Sequence, residues 1–530
     1  MPIMRPTGRL TRRHLLKVTA ASAAFSAIGG IARPYLSRAA DRPQVSHGVQ
    51  SGDASVDSGV VWARADRPSR MLVEVATSDS FKDARGVFVD ALPERDHTAK
   101  ALIEDLPAGQ DIFYRIRFQD IAEPTIVGEP AVGRFRTAPA DRRSVSFVWS
   151  GDTAGQGWGI DEARGGMRTY ATMRNNRPDF FIHSGDTVYA DTPLSAQRKL
   201  PNGETWNNLV TEAKSKPAET LDEFRGNFKY NLLDHNLLAF NAEIPMFAQW
   251  DDHEVFNNWW PEEPLTRADI VRKHYVAKNA LTLAVRASRA FHEYMPMRIS
   301  IAEPGRVYRR IGYGPLLDAF MIDMRSYRGP NGANDETTYG PSAYFLGPTQ
   351  VAWLKRELTA SRATWKVIAA DLPLSLIRIY DSERHWGSEA IAQGDDGPPR
   401  GRELELADLL AFMRRERIHN TVWLTADVHY SAAHYYDPDK AQFQDFDPFW
   451  EFISGPIHAG AGGANKFDNT FGPQLIFQRA APKGLGGSLG DDLQGFGHVA
   501  IDGATQVMTV TLKDWNDRVL WSGKIDPKLG

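Results

Sequence analysis

Cysteine is absent from all 530 residues, which excludes disulfide staples, thiolate metal sites and a cysteine nucleophile. That absence does not by itself assign a compartment. Long apolar runs are scarce too. A mild one, Val18 to Ala32, lies near the N-terminus, and no later segment is long and apolar enough for a bilayer, which takes about 20 residues. There is no basic excess: the formal charge is −4, which gives no nucleic-acid footprint. No internal repeat is evident. The Gly-rich stretches Ala459 to Gly472 and Lys483 to Asp492 do not open a helix with phosphate-loop spacing and read as surface loops. A 42% hydrophobic share over this length is enough for two or three domains with cores of their own.

Arg12 and Arg13 precede the apolar stretch, and Ser37-Arg38-Ala39-Ala40 offers a small-residue cleavage region. The pattern predicts a twin-arginine signal peptide over residues 1–39, and with it the twin-arginine export machinery as partner and a periplasmic or secreted product. A permanent membrane anchor is the alternative, but the stretch is about five residues short for it. The leader holds seven Lys or Arg and no acid, so its removal takes the formal charge from −4 to −11.

From Gln44 to Ala138, short alternating runs such as GVVWARA (Gly59 to Ala65) and IFYRIRFQ (Ile112 to Gln119) are separated by Asp, Pro and Gly turns. This predicts a small all-β sandwich of fibronectin-III or Ig-like type over residues 44–138, with a boundary near residue 140. Apolar strand-like runs then alternate with helical patterns over residues 144–525, predicting a layered α/β domain. Helices are expected at Ile270 to Glu293, Thr349 to Ser361 and Arg402 to Arg417, the last with Leu406, Leu409, Leu410 and Met413 at near-helical spacing. Residues 192–222 read as a loop. Residues 380–401, rich in charge, Gly and Pro, read as a loop or a lid, with Trp386 and Arg400 as covering residues. Gly497 to Asp502 and Val507 to Asp514 read as an edge hairpin.

The stretch HSGDTVYAD, His183 to Asp191, follows the buried-strand run DFFI. A lone Gly-Asp pair is an ordinary turn. Here it has company: WSGDTAGQ places Asp152, WDDHE places Asp251, Asp252 and His253, and TADVHYSAAH places Asp427, His429 and His434, each after an apolar run. In an open α/β sheet the loops beyond the carboxyl ends of the strands converge, so four such loops predict one multinuclear metal centre.

Those motifs, together with HGVQSGDASVDSGVVWAR, IDMRSYR (Ile322 to Arg328) and LGPTQVAWL (Leu346 to Leu354), resemble the PhoD-like alkaline phosphatase and phosphodiesterase family of calcineurin-like metallophosphoesterases. The resemblance implies a metallophosphoesterase-type β-sandwich core flanked by helices. It also implies Asp186 as the carboxylate bridging two metals, Tyr189 as a phenolate ligand, and Asp252, Asp427 and His429 as further ligands. His253 would donate to phosphate or to the leaving oxygen. Fe(III) and Ca(II) are the implied cofactors, suited to hard Asp and Tyr oxygens. Better-known members carry a cysteine ligand where this chain has Asp152, which opens the site to Mn, Zn or Mg. Asp371 is a ligand or a turn cap, Asp251 a ligand or its neighbour, and His434 a ligand or a structural residue. Arg325 or Arg328 would clamp a phosphate oxygen, or else form an ion pair with Asp323.

The implied activity is hydrolysis of phosphate monoesters or diesters through attack by a metal-bound hydroxide. The substrate would be a small phosphate ester or a lipid or polymer phosphodiester. A phospholipase D-like phosphodiesterase is the alternative enzyme, and an exported calcium- or polymer-binding protein the alternative outside catalysis.

Overall fold

The computed structural model describes residues 42–377, 389–482 and 487–529. The leader with Arg12 and Arg13, Trp386 and residues 483–486 lie outside the described residues. The fold lies in one compact unit, Pro43–Gly530.

Two sheets face each other. A nine-stranded sheet runs, in spatial order, Val519–Ile525, Met508–Asp514, Gly495–Ile501, Val145–Ser150, Phe180–Ser184, Met246–Gln249, Val45–Gly52, Gly59–Ala65 and Thr98–Ile103. A seven-stranded sheet runs Arg309–Gly312, Leu317–Met321, Trp365–Ala369, Thr421–Thr425, Phe449–Ile453, Ser431–Tyr436 and Pro473–Arg479. The strand period of two sorts the side chains. Phe180 and Ile182 enter the core between the sheets with Leu317, Val367 and Leu424, whereas Phe181 joins a second core beneath the helices Arg168–Asn175, Leu221–Asn231 and Ala280–Tyr294. A third core lies between the seven-stranded sheet and the helices Gly347–Ala360 and Glu403–Arg415. The layers are therefore helix, sheet, sheet, helix. Gln249 stitches the sheets together, its side-chain amide donating to the carbonyls of Ile322 at 2.8 Å and Ala369 at 2.7 Å.

The N-terminal β region packs a four-stranded sheet, Arg85–Ala91, Ser69–Ala76, Asp111–Asp120 and Ala131–Arg136, against strands that extend the nine-stranded sheet. Gly52 pairs in parallel with Met246, so one layer of this β region continues into the large sheet.

Several sequence expectations change. The helix expected from Ile270 to Glu293 is two helices, Ala268–Val271 and Ala280–Tyr294. Asn279 starts the second, its side chain accepting from the Thr282 N–H at 3.0 Å. Residues 192–222 contain a small hairpin, Gln197–Lys199 with Thr205–Asn207, and the buried Lys214. The hairpin expected at an edge is internal: Gly495–Ile501 pairs with Val145–Ser150, and the edge strand is Val519–Ile525. The stretch from Ala459 is a surface loop only in part, because Ala459 and Ala461 are buried beside the site described next.

Candidate metal centre

Val145–Ser150, Phe180–Ser184 and Met246–Gln249 are parallel neighbours, so the loops carrying Asp152, Asp186 and Asp251 to His253 leave the same end of the sheet. The loop after Thr421–Thr425 in the opposite sheet brings Asp427 and His429. Asp152, Asp186, Asp427 and His429 all adopt left-handed backbone, with φ of 68°, 52°, 60° and 59°, a conformation unusual outside glycine and frequent where loops are held for function. Gly185 permits the closest approach, since a Cβ there would lie 2.4 Å from the Asp251 Cβ.

Three overlapping groups of potential donors result: Asp152, Asp186 and His429; Asp186, Asp252 and His253; and Asp251, Asp252 and Asp427. Within each group the donor atoms lie within 4.8 Å of one another. Asp186 is common to the first two and Asp252 to the last two. The Tyr189 hydroxyl joins the first group, 3.3 Å from Asp152 Oδ1 and 2.9 Å from His429 Nε2. His429 Nδ1 lies 2.7 Å from the Gly460 carbonyl. A carbonyl can only accept, so Nδ1 carries the proton and Nε2 faces the cluster.

The electrostatics suit cations. Burial, and then the charges of Asp252 and Asp152, push the Asp186 carboxyl well above its usual range. Burial likewise drives Asp251 well up, against the pull of Arg325 and helped by Asp371 and Asp252. Burial and the surrounding carboxylates raise the Tyr189 phenol. Asp152 is the exception, held low against burial by His429. Asp152 Oδ2, Asp251 Oδ2 and Asp371 Oδ1 are buried with no hydrogen-bond partner among the described residues. Each such oxygen costs about 1–3 kcal/mol if left unpaired, and a bound cation relieves both that cost and the crowded charge. The residues present therefore fit a polynuclear cation site built mainly of oxygen donors.

His253 faces this cluster, its ring stacked on Tyr189 at 4.1 Å. Its Nδ1 is 2.6 Å from Asp191 Oδ1, and Asp191 also accepts from Lys273 Nζ at 2.5 Å and from the Asn257 N–H at 3.0 Å. Burial alone would lower the His253 pKa, but Asp191 and Asp252 outweigh it and lift the ring to about 9. Glu254 links two of the loops, accepting from the Thr187 N–H and hydroxyl, both at 2.6 Å, and from the Asp251 N–H at 2.9 Å.

The remaining expected residues stand differently. Arg325 has no exposed surface, and its side chain lies among carboxylates: Asp251 at 2.7 Å, Asp371 at 3.2 Å and Glu389 at 3.0 Å. Arg325 does not form the expected ion pair with Asp323, which meets only the Arg325 backbone, through its N–H at 3.0 Å. Arg328 is buried and donates to the Glu389 carbonyl. Asp371 belongs to the Arg325 cluster. His434 belongs to none of the three donor groups; its Nδ1 lies 2.9 Å from Glu451, which also accepts from the Tyr436 hydroxyl. Asp191, Glu254, Glu389 and Lys273 carry weight that motif reading did not give them. Only Asp191 and Glu254 lie in stretches the motifs marked.

A sequence model of the family described as PhoD-like phosphatase matches residues 147–512, and one for its N-terminal domain matches residues 30–139. Alkaline phosphatase D of Bacillus subtilis (strain 168) is 28% identical over 450 residues, covering 80% of this chain and 71% of that protein. The solved structure of PhoD has a TM-score of 0.68 at 22% identity, covering 91% of this chain and 89% of its own. A purple acid phosphatase from yellow lupin (Lupinus luteus) seeds has a TM-score of 0.56 at 12% identity, covering 92% of this chain and 74% of its own.

Proposed function

The chain belongs to the PhoD-like phosphatase family, and from that premise we propose that it is an exported, metal-dependent hydrolase of phosphate monoesters or diesters. One observation carries the reading: three donor groups joined through Asp186 and Asp252, which gather carboxylates from loops spread along the chain onto one buried spot. Structural cation loops draw their ligands from one short stretch, as a hand of 12 residues does. In this reading Asp152, Asp186, Tyr189, Asp252, Asp427 and His429 hold the cations, with Asp251 and Asp371 beside them. The oxygen-rich donors suit Fe(III) with Ca(II), and with Asp152 in place of a thiolate they also accept Mn, Zn or Mg. When bound, such ions lower the pKa of water and polarise phosphoryl oxygens.

The chain's own residues supply the rest. His253, protonated at Nε2 because Asp191 and Asp252 favour the imidazolium, gives that proton to the leaving alkoxide. Asp191 fixes the ring through Nδ1, and stacking on Tyr189 fixes its plane. Arg325 balances Asp251 and Asp371, so that Asp252 on the neighbouring residue keeps its place. Export rests on Arg12, Arg13 and the apolar stretch after them.

The test measures metal content together with hydrolysis of matched chromogenic phosphate mono- and diesters at alkaline pH, before chelation, after it, and with metal restored. Turnover lost to chelator and recovered with metal is expected, and the preferred ester names the class. Metal-loaded protein inert to both esters would replace the reading with that of a binding protein.

A further inference from the structure

Residues 271–302 depart from the rest of the chain. They hold six Lys or Arg and one acid, Glu293, in a chain of formal charge −4. Glu293 is buried between Arg225 and Arg289. The neighbouring Glu219 spends one carboxylate oxygen on the backbone N–H groups of Val276 and Ala277. Arg272 and Lys278 are exposed and make no ion pair among the described residues, and Arg286 donates only to the Glu219 carbonyl. Lys273 is paired with Asp191 and Arg289 with Glu293, so the uncancelled positive charge here is that of Arg272, Lys278 and Arg286, beside the carboxylate of Glu219.

The same stretch exposes large aliphatic side chains: Val271, Val276, Leu281, Val285, Ile299 and Ile301, with Val276 at 77% and Ile301 at 98%. Leu281 and Val285 are one turn apart on the outer side of the helix Ala280–Tyr294, whose inner side buries Leu283, Ala287 and Phe291. Val285 and Ile299 line one groove of about 470 Å³ that also receives Arg95, Arg289 and His292, so the helix and the 299–305 loop form one surface. Exposed aliphatic groups gathered in one place mark a contact surface.

We propose that this face docks on an anionic lipid bilayer. Charge selects the partner: a two-fold contact with a second copy would set one positive patch against another. A soluble polyanion would satisfy the cations and leave six aliphatic side chains in water. A bilayer of anionic lipid takes both, phosphates against the cations and the acyl boundary against Leu281, Val285 and Ile301. The inference does not draw on the proposed reaction and is read without it.

The chain lacks cysteine, so one introduced thiol labels one place. Leu281→Cys and Ile301→Cys, with Val519→Cys as control, would carry an environment-sensitive fluorophore in the full chain. Phosphatidylglycerol vesicles at low salt are expected to raise and blue-shift the emission at 281 and 301 but not at 519, and phosphatidylcholine vesicles to change none. Adding Arg272→Glu and Lys278→Glu is expected to weaken that response roughly thirtyfold in apparent affinity, with the melting temperature and the hydrolysis of a soluble ester unchanged. Three results would overturn the proposal: no change at 281 and 301, an equal change with phosphatidylcholine or with an acyl-free polyphosphate, or the same change from raising protein concentration without lipid.

Discussion

Asp191 has no exposed surface, yet three partners converge on it: the His253 ring, the Lys273 ammonium and the Asn257 N–H. If His253 donates to the leaving oxygen, Asp191→Asn retains the contact and loses the charge. The expected outcome is a kcat lower by roughly tenfold to a hundredfold with KM nearly unchanged, largest for poor alkyl leaving groups and smallest for nitrophenol. Lys273 pulls the His253 pKa down, so Lys273→Met is expected to move the His253 limb of the kcat pH profile upward, the reverse of Asp191→Asn, and Lys273→Arg to leave it in place. Arg325 gives a stability test at the same scale. Arg325→Met leaves Asp251, Asp371 and Glu389 without their shared counter-ion, and urea denaturation is expected to show a loss of about 3–5 kcal/mol.

At the scale of elements, the helix Ala280–Tyr294 depends on its Asn279 cap, and Asn279→Ala is expected to cost about 1 kcal/mol, measured as a lower urea midpoint with unchanged slope. The sequence made legible those elements whose signal is local. Buried-strand runs ending in Gly-Asp or Asp-His marked the loops that carry the three donor groups, and helix periodicity placed Gly347–Ala360 and Glu403–Arg415 within one or two residues. The break after Val271 was missed because the helical pattern appeared to run on through residues 272–279, where only Asn279 and the left-handed His274 interrupt it. Val519–Ile525 was missed because its side chains are mostly half exposed and give little hydrophobic alternation. What Arg325 touches could not be read at all: its partners lie 74, 46 and 64 residues away, and no spacing rule reaches that far.

For the molecule as a whole, Lys214 couples stability to pH. It is buried, donating to the Tyr189 carbonyl at 2.7 Å and to Asn227 at 2.9 Å, and burial lowers its pKa from 10.5 to about 7. Below the folded value the ammonium is charged in both states and the fold bears the full cost of burying it. Between about 7 and 10.5 the unfolded chain binds the extra proton, so this residue makes stability rise with pH, by up to about 1.4 kcal/mol per unit. Melting curves from pH 7 to 10 are expected to show a smaller upward slope in Lys214→Met than in the parent.

The order of the large sheet also sets when the protein can finish folding. Val145–Ser150 is flanked on one side by Gly495–Ile501, and the Ser150 hydroxyl meets the Gly495 carbonyl across 345 residues of chain. During synthesis at about 5–20 residues per second, that strand waits tens of seconds with one edge unpaired. Contacts this distant make folding slow, and an open edge recruits whatever strand arrives first. A ribosome that stalls before residue 495 would therefore hold an aggregation template, and the loops at the strand ends acquire their last neighbours only in the finished chain.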